Sequence, residues 1–187
     1  MATATFSPSQ SADDAWQNLA GDMTLTAEIR LTAGTTWAGL FLSTVPTAMK
    51  GANIISATLY YQATVTSHDD PYVDWYLQDA DTAAVFTTTA NNITSRPRTT
   101  AVTTDQATAI GNTSYRTVDL TAQVAEVMAR PGFGTGGYSM AVIGDAQTGC
   151  DLWLRTWDSG GDVWYVEVVY SAGSLVLPRR RKTYLRM

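Results

Sequence analysis

The sequence predicts an all-β fold: an antiparallel β-sandwich of the jelly-roll type, with about nine strands and one short covering helix. Apolar and polar residues alternate with a period of two in segments spread along all 187 residues, and turn sequences rich in glycine, proline or aspartate separate these segments. Only one segment has helical periodicity. Because 45% of the residues are hydrophobic and 16% are charged, the chain can bury the core of one domain.

The predicted strands follow from this alternation. The longest covers residues 54–66, where Leu59 and Tyr61 share one face with other apolar residues, and Tyr60 and Gln62 share the other. Abundant threonine, valine and tyrosine favour strands over helices. In chain order the nine predicted strands are residues 23–31, 37–43, 54–66, 73–78, 99–104, 115–118, 138–144, 150–156 and 163–170.

The predicted helix covers residues 119–130. Its apolar residues recur at i, i+4, i+7 and i+8, which is the spacing of an amphipathic helix: Leu120, Val124, Val127 and Met128. Asp119 can cap its N-terminus, and Pro131-Gly132 would end it. A single short helix among strands typically covers an open end or edge of a β-sandwich, and we expect this one to do so.

The single cysteine and the N-terminus add two expectations. Cys150 has no partner for an internal disulfide, and its place at the start of a predicted strand indicates a small core residue. No charged and then apolar leader follows Met1, and no apolar run approaches the ~18 residues that cross a bilayer. We therefore expect a soluble chain without a cleaved export signal.

Several segments carry a resemblance to a known family. They are 11–15 (SADDA), 37–41 (WAGLF), 51–59 (GANIISATL), 69–71 (DDP), 86–100 (FTTTANNITSRPRTT), 119–126, 130–132 (RPG) and 166–170. With these segments the chain resembles the carbohydrate-binding-module-like jelly-roll domains of the DNRLRE type, which occur in bacterial surface proteins and in tailed-phage virion proteins. The resemblance covers nearly all of residues 11–171. It implies the sandwich fold and, since related modules often hold calcium, a structural calcium ion.

The C-terminal residues differ in charge from the rest of the chain. Residues 178–187 contain five basic side chains and no acidic one, so the remainder of the chain has 12 − 5 = 7 basic against 17 acidic residues. We therefore divide the chain into a sandwich domain with a short N-terminal arm (1–171) and a basic tail (172–187). A basic peptide on an acidic body is expected to dock on a negative surface. The predicted docking residues are Arg179, Arg180, Arg181, Lys182, Tyr184, Leu185 and Arg186.

Outward-facing aromatic residues form a second candidate site. Strand alternation places Leu59, Tyr61, Trp75, Trp164 and Val166 towards the core. On the opposite faces it places a mostly aromatic set: Tyr60, Tyr76, Trp153, Arg155, Trp157 and Tyr165. Flat, amphipathic rings suit either a protein interface or a platform on which sugars stack. A third interpretation is that the helix and long loops cover these rings.

Catalytic and metal sites have weaker support in the sequence. His68 is the only histidine and lies in a His-Asp-Asp-Pro turn, so we predict no catalytic residue and no enzyme. Calcium binds clustered carboxylates, and the paired acids are Asp13-Asp14, Asp69-Asp70, Asp79 with Asp81, and Asp158 with Asp162. Of these, Asp79 and Asp81 are the best candidates for such a site. A pair of carboxylates across a cleft would also suit a glycosidase. Apart from calcium, no cofactor is predicted.

Together these features predict a non-enzymatic structural or decoration protein, similar to a cement protein, on the capsid or tail of a tailed phage. It would assemble in the host cytoplasm, bind other virion proteins through its termini and form a homo-oligomer. The acidic body disfavours a nucleic-acid partner, although three consecutive arginines could contact phosphates. No feature indicates a membrane partner. The alternative is a carbohydrate-binding module or phage adhesin that binds glycans through the outward aromatics.

Overall fold

Twelve β-strands and one α-helix make up the described part of the computed structural model, which is residues 1–26, 28–63, 72–106, 115–160 and 164–171. The helix α1 is Thr121–Met128. The strands are β1 (Ala2–Phe6), β2 (Asp14–Asn18), β3 (Met23–Thr24), β4 (Ile29–Thr32), β5 (Thr36–Leu42), β6 (Asn53–Gln62), β7 (Tyr72–Leu77), β8 (Thr103–Gln106), β9 (Tyr115–Asp119), β10 (Met140–Ala146), β11 (Asp151–Leu154) and β12 (Tyr165–Ser171). Three short 3-10 helices are Ser11–Asp13, Thr47–Met49 and Trp157–Ser159.

The strands form two larger sheets and a two-stranded ribbon, and all their pairings are antiparallel. The four-stranded sheet has the order β1-β12-β6-β9, and the six-stranded sheet has the order β3-β2-β5-β10-β7-β8. The ribbon pairs β11 with β4. The antiparallel β-sandwich that the sequence predicts is therefore confirmed, while the jelly-roll order of its connections stays a prediction.

The main core lies between the facing sides of the sheets. Leu59 and Tyr61 reach it from β6, Trp75 from β7, and Trp164 and Val166 from the region of β12, and all five side chains are fully buried. The rings of Trp75 and Trp164 have their centres 6.2 Å apart. Burying a large apolar side chain stabilises a fold by about 1.5–3 kcal/mol. The core side of each of these predicted strands is thus confirmed.

Helix α1 joins the two larger sheets. The Thr121 N–H donates to Asp119 Oδ1 at 2.9 Å, so Asp119 does satisfy an N–H of the first turn, although the helix itself begins after Leu120. The buried side chain of Gln123 donates to the main-chain oxygen of Trp75 in β7 at 3.1 Å and to Thr103 Oγ1 in β8 at 2.9 Å. The predicted helix is therefore present and packs over the sandwich. None of the described helices is long and apolar enough to cross a membrane.

Some predicted boundaries are wrong. Residues 2–6, which we expected to be an arm, form the edge strand β1, and β2 was not predicted at all. The predicted strand 23–31 is two separate strands, β3 and β4, in different sheets. The predicted strand 150–156 ends at Leu154, and a 3-10 helix begins at Trp157. Trp157 therefore does not share a strand face with Trp153.

Candidate functional site

The predicted docking residues of the tail lie outside the described residues, so tail docking stays a prediction. These residues are Arg179, Arg180, Arg181, Lys182, Tyr184, Leu185 and Arg186. The same holds for His68, Asp69, Asp70 and Asp162 among the candidates for catalysis or calcium.

The predicted outward aromatics do face outwards, but they belong to different surfaces. Tyr60 and Tyr165 are on the outer face of the four-stranded sheet, Tyr76 is on that of the six-stranded sheet, and Trp153 is on the ribbon. All four are half-buried, as is Arg155, whereas Trp157 is 46% exposed. The six residues therefore do not form one continuous platform.

Three tyrosines cluster on the outer face of the four-stranded sheet. Tyr60 and Tyr165 are cross-strand partners, and their rings stack with centres 4.6 Å apart and an interplanar angle of 10°. Tyr115, from β9, lies edge-on to both rings, at 6.4 Å from Tyr60 and 5.6 Å from Tyr165. Tyr115 was not among the predicted outward aromatics. Its even spacing from Thr117 and Asp119 could have placed it on this outer face.

Guanidinium groups lie over two of the other candidate rings. The Arg30 guanidinium carbon is 4.9 Å from the centre of the Trp153 ring, and that of Arg98 is 5.1 Å from the centre of the Tyr76 ring. Arg98 also forms an ion pair with Asp145. One face of each ring is therefore occupied, which weakens these two rings as a platform for sugars.

The segment between β7 and β8 covers the outer face of the six-stranded sheet. Phe86 and Ile93 from this segment pack with Ala15, Ala141 and Ile143 of the sheet in a second buried cluster, and Tyr76 packs at its margin. The edge of the Phe86 ring lies so close to the main chain of Gly39 that a Cβ at this position would overlap it. The interpretation that long loops cover the outward aromatics is thus correct for Tyr76.

Arg96 holds this covering segment together. Arg96 is 8% exposed, and its guanidinium lies 4.2 Å above the Phe86 ring and makes five hydrogen bonds. The acceptors are Asn92 O, Asn92 Oδ1, Gln78 Oε1, Ala84 O and Val85 O. Every acceptor is neutral, and burial lowers the pKa of Arg96 to about 10. Its role is structural, because its donors are directed into the segment itself.

Gln17 fixes the same segment to β2. The fully buried Gln17 Oε1 accepts from the Ile93 N–H at 2.9 Å and from the Thr94 N–H at 3.0 Å, while Nε2 donates to Thr94 Oγ1 at 2.8 Å. Since unpaired buried amides are costly, these bonds specify where the segment docks. Much of the segment 86–100, which carried part of the family resemblance, therefore has a structural role: it includes Arg96 and the residues that Gln17 binds.

Asp79 and Asp81, the candidate calcium ligands, both bind Arg130. The Arg130 Nε–H donates to Asp81 Oδ1 at 2.8 Å, and Arg130 Nη1 donates to Asp79 Oδ1. The hydrogen bonds that Arg130 donates to Asp81 and then to Asp79 raise the pKa of Arg130. Within the described residues no group of three or more histidine, cysteine, aspartate or glutamate side chains is placed to hold a metal. The arrangement favours an ion pair over calcium here.

Asp14 links β2 to the segment that begins at Thr156. Asp14 is 2% exposed, and its carboxylate accepts from the Trp157 N–H at 2.8 Å and from the Trp164 Nε1–H at 3.4 Å. Burial raises the pKa of Asp14 to about 6, against the lowering effect of these bonds. Nearby, the Ser11 hydroxyl donates to Asp158 Oδ1 at 2.8 Å. These acids therefore hold the N-terminal region against residues 157–158 and Trp164.

Cys150 is a buried core residue, as predicted. Its thiol is 1% exposed and lies 3.5 Å from the main-chain oxygen of Leu31, and burial raises its pKa to about 11. A thiol with a raised pKa holds little thiolate at neutral pH. Cys150 is therefore not a nucleophile.

The depressions on the surface of the described residues include two that lie outside these clusters. One, of about 410 Å³, is lined by residues of β2, β4 and their flanking turns, including Trp16, Leu19 and Arg30. The other, of about 400 Å³, lies between residues 3–7 and the segment that follows β5, at Ser43, Thr44 and Pro46. The second is rich in hydroxyl groups and follows the length of β1.

The chain was compared with known proteins by family and by sequence. No protein-family model matches it, and no curated protein matches it either.

Proposed function

We propose that this chain is a non-enzymatic structural protein, similar to a cement protein, that decorates the capsid or tail of a tailed phage. Its sandwich would lie on the particle surface, and its termini would attach it to other virion proteins. The observation that carries the proposal is the separation of charge: five positive side chains and no acid in residues 178–187, against 7 basic and 17 acidic residues elsewhere. The resemblance to DNRLRE-type domains supports the phage context.

The ion pairs of the sandwich strengthen this argument. Arg30, Arg98, Arg116 and Arg130 pair with Asp151, Asp145, Asp105 and the two carboxylates Asp79 and Asp81. Four of the six described arginines of the body are thus paired with its own acids, and the net charge of the body is negative. Docking on an acidic partner would therefore depend on the tail, whose arginines suit directional contacts with carboxylates.

The proposal also agrees with how the described polar residues are used. Arg96, Gln17 and Asp14 are buried and satisfy main-chain groups or other side chains of the fold. Such interactions stabilise a rigid body. A decoration protein needs a rigid body with attachment segments, and many weak contacts on a repeating particle surface add up through multivalency.

A sedimentation experiment with particles tests this function. Purified protein is mixed with tailed particles of the phage that encodes it, at low and at physiological salt, and the pelleted fraction is measured. We expect saturable binding by the full chain and loss of binding in the Arg179→Ala/Arg180→Ala/Arg181→Ala variant, with an unchanged circular dichroism spectrum. Full binding by this variant, or no binding by the parent chain, would overturn the proposal.

The second candidate is a carbohydrate-binding module or phage adhesin. Its specific support is Trp157, a ring that is 46% exposed at the start of a 3-10 helix. Exposed tryptophan rings stack on sugars. Binding on a glycan array that is lost in Trp157→Ala and kept in the tail variant would favour this function over particle decoration.

A further inference from the structure

Strand β1 is an open edge of the four-stranded sheet. Among the described residues, its only ladder partner is β12. The two larger sheets have three other edge strands, β3, β8 and β9. β3 has only two residues. β8 and β9 contact each other through the ion pair of Arg116 with Asp105 and the hydrogen bond from Thr103 Oγ1 to Asp119 O. β1 differs from these three edge strands, because it has five residues and its free side pairs with no other described strand.

The sequence of β1 has none of the usual protection of an edge strand. Proteins discourage edge pairing with charged residues, prolines or bulges. Residues 2–6 read ATATF, with no charge and no proline, and they pair with β12 without a shift in register. Ala2, Thr3 and Thr5 are exposed. The strand therefore offers main-chain donors and acceptors to a further strand.

A groove lies beside this edge. It has a volume of about 400 Å³ and is bounded by residues 3–7 and by Ser43, Thr44 and Pro46. Thr44 has a φ of +59°, which is unfavourable for a β-branched residue. Strained residues of this kind often mark binding sites, because the surrounding structure must hold them in place. A groove of this size suits one extended peptide better than the edge of a second whole sandwich.

The chain itself supplies a suitable peptide. β12 ends at Ser171, and Tyr170 lies opposite Ala2, so the described part of the chain ends close to the first residue of β1, and 16 further residues (172–187) follow it. Sixteen extended residues reach about 50 Å. Within them Leu175, Val176 and Leu177 favour a strand, and Pro178 would end it.

We propose that residues 174–177 of one copy add to the open edge of β1 in a second copy, as an antiparallel strand in this groove. The donor must be a second copy, since only two residues separate Ser171 from Ser174. They span at most about 10 Å, which is two strand spacings and leaves no residue for the turn that would place the tail beyond its own β1. Strand addition supplies main-chain hydrogen bonds, and the arginines after Pro178 would then meet an acidic body. This inference rests on the attaching role of the tail in the proposed function.

Two proline variants of the full-length chain test the inference. Val176→Pro removes a strand donor, whereas Thr183→Pro is the matched control at a position of the tail outside the pairing segment. In sedimentation velocity we expect an oligomer for the parent chain and for Thr183→Pro, and at least a tenfold weaker association for Val176→Pro. Unchanged thermal unfolding at a concentration where all variants are monomeric controls for folding.

Cross-linking locates the contact. A photoreactive phenylalanine analogue at position 176 should join residues 3–7 or 43–46 of another copy, as read by mass spectrometry of the dimer band. A monomeric parent chain, an oligomer that survives Val176→Pro, cross-links within one chain, or direct contact between two β1 strands would each overturn the inference. The particle-binding assay with the triple arginine variant is a separate readout, so failure of strand addition and failure of the proposed function can be told apart.

Discussion

The guanidinium of Arg96 lies 4.2 Å above the ring of Phe86, and the edge of that ring rests on the main chain of Gly39. This stack of cation, ring and strand joins the segment between β7 and β8 to the outer face of the six-stranded sheet. The segment thereby forms a second buried cluster, and the sheet has apolar residues on both of its faces.

Replacing Arg96 with methionine should destabilise the fold strongly. The change keeps the apolar stem but leaves Gln78 Oε1, the main-chain oxygens of Ala84 and Val85, and both Asn92 oxygens without this donor. A typical hydrogen bond contributes about 0.5–1.5 kcal/mol net, and five are lost here, so we expect a total loss of about 3 kcal/mol or more. Urea unfolding measures it. Arg30→Met is the control, because its pair with Asp151 is long and half exposed and should contribute less than about 1 kcal/mol. Equal losses in the two variants would contradict this role.

Gly39→Ala should also destabilise the protein, by about 1–3 kcal/mol, because overpacking forces the Phe86 ring to move. The effect depends on Phe86, and a double-mutant cycle with Phe86→Leu tests that dependence. We expect the cost of the alanine to fall clearly in the leucine background. If the two changes are simply additive in chemical denaturation, the contact does not explain the glycine.

Asp14 should give the protein a specific dependence of stability on pH. The pKa of Asp14 is about 6 in the folded state against 3.8 for a free side chain, so the folded state binds the proton more tightly. Unfolding free energy therefore falls as pH rises from about 4 to 6, and the difference in pKa corresponds to about 3 kcal/mol. Relative to Asp14→Asn, the parent chain should lose about that much stability between pH 4 and 7 in denaturation curves. Parallel pH profiles of parent and variant would contradict a raised pKa.

Arg130 should decide whether Asp79 and Asp81 respond to calcium. In the parent chain the guanidinium already pairs with both carboxylates and leaves them a net charge of −1 instead of −2, so millimolar CaCl2 or a chelator should leave the melting temperature unchanged. Arg130→Met should melt at a lower temperature, and calcium should recover part of that loss, since the two acids would then repel each other. Differential scanning calorimetry measures both effects. Stabilisation of the parent chain by calcium would contradict this expectation and support the calcium site that the sequence predicts.

Local periodicity predicted the faces of the longer strands correctly. Leu59 and Tyr61 are buried while Tyr60 is not, and Val166 is buried while Tyr165 is not, because successive side chains of a strand point to opposite sides. Strands β1 and β2 were missed for different reasons. In residues 2–6, alanine and threonine give little apolar contrast. In β2, Asp14 and Gln17 are polar yet buried, which breaks the alternation. The residues that satisfy them, Trp157, Ile93 and Thr94, lie far along the chain, so a local pattern could not reveal this strand.

By itself, the sequence determined the all-β class, the outward or inward side of each long strand, the single α-helix and the separation of charge, because each depends on composition or on neighbours a few residues apart. Only the tertiary structure decided that Asp79 and Asp81 bind Arg130, that Tyr76 lies beside a covering segment, and that Tyr115 joins Tyr60 and Tyr165. The physical reason is that these contacts join residues distant in the chain. Which of them meet depends on strand order and register, which local patterns do not encode.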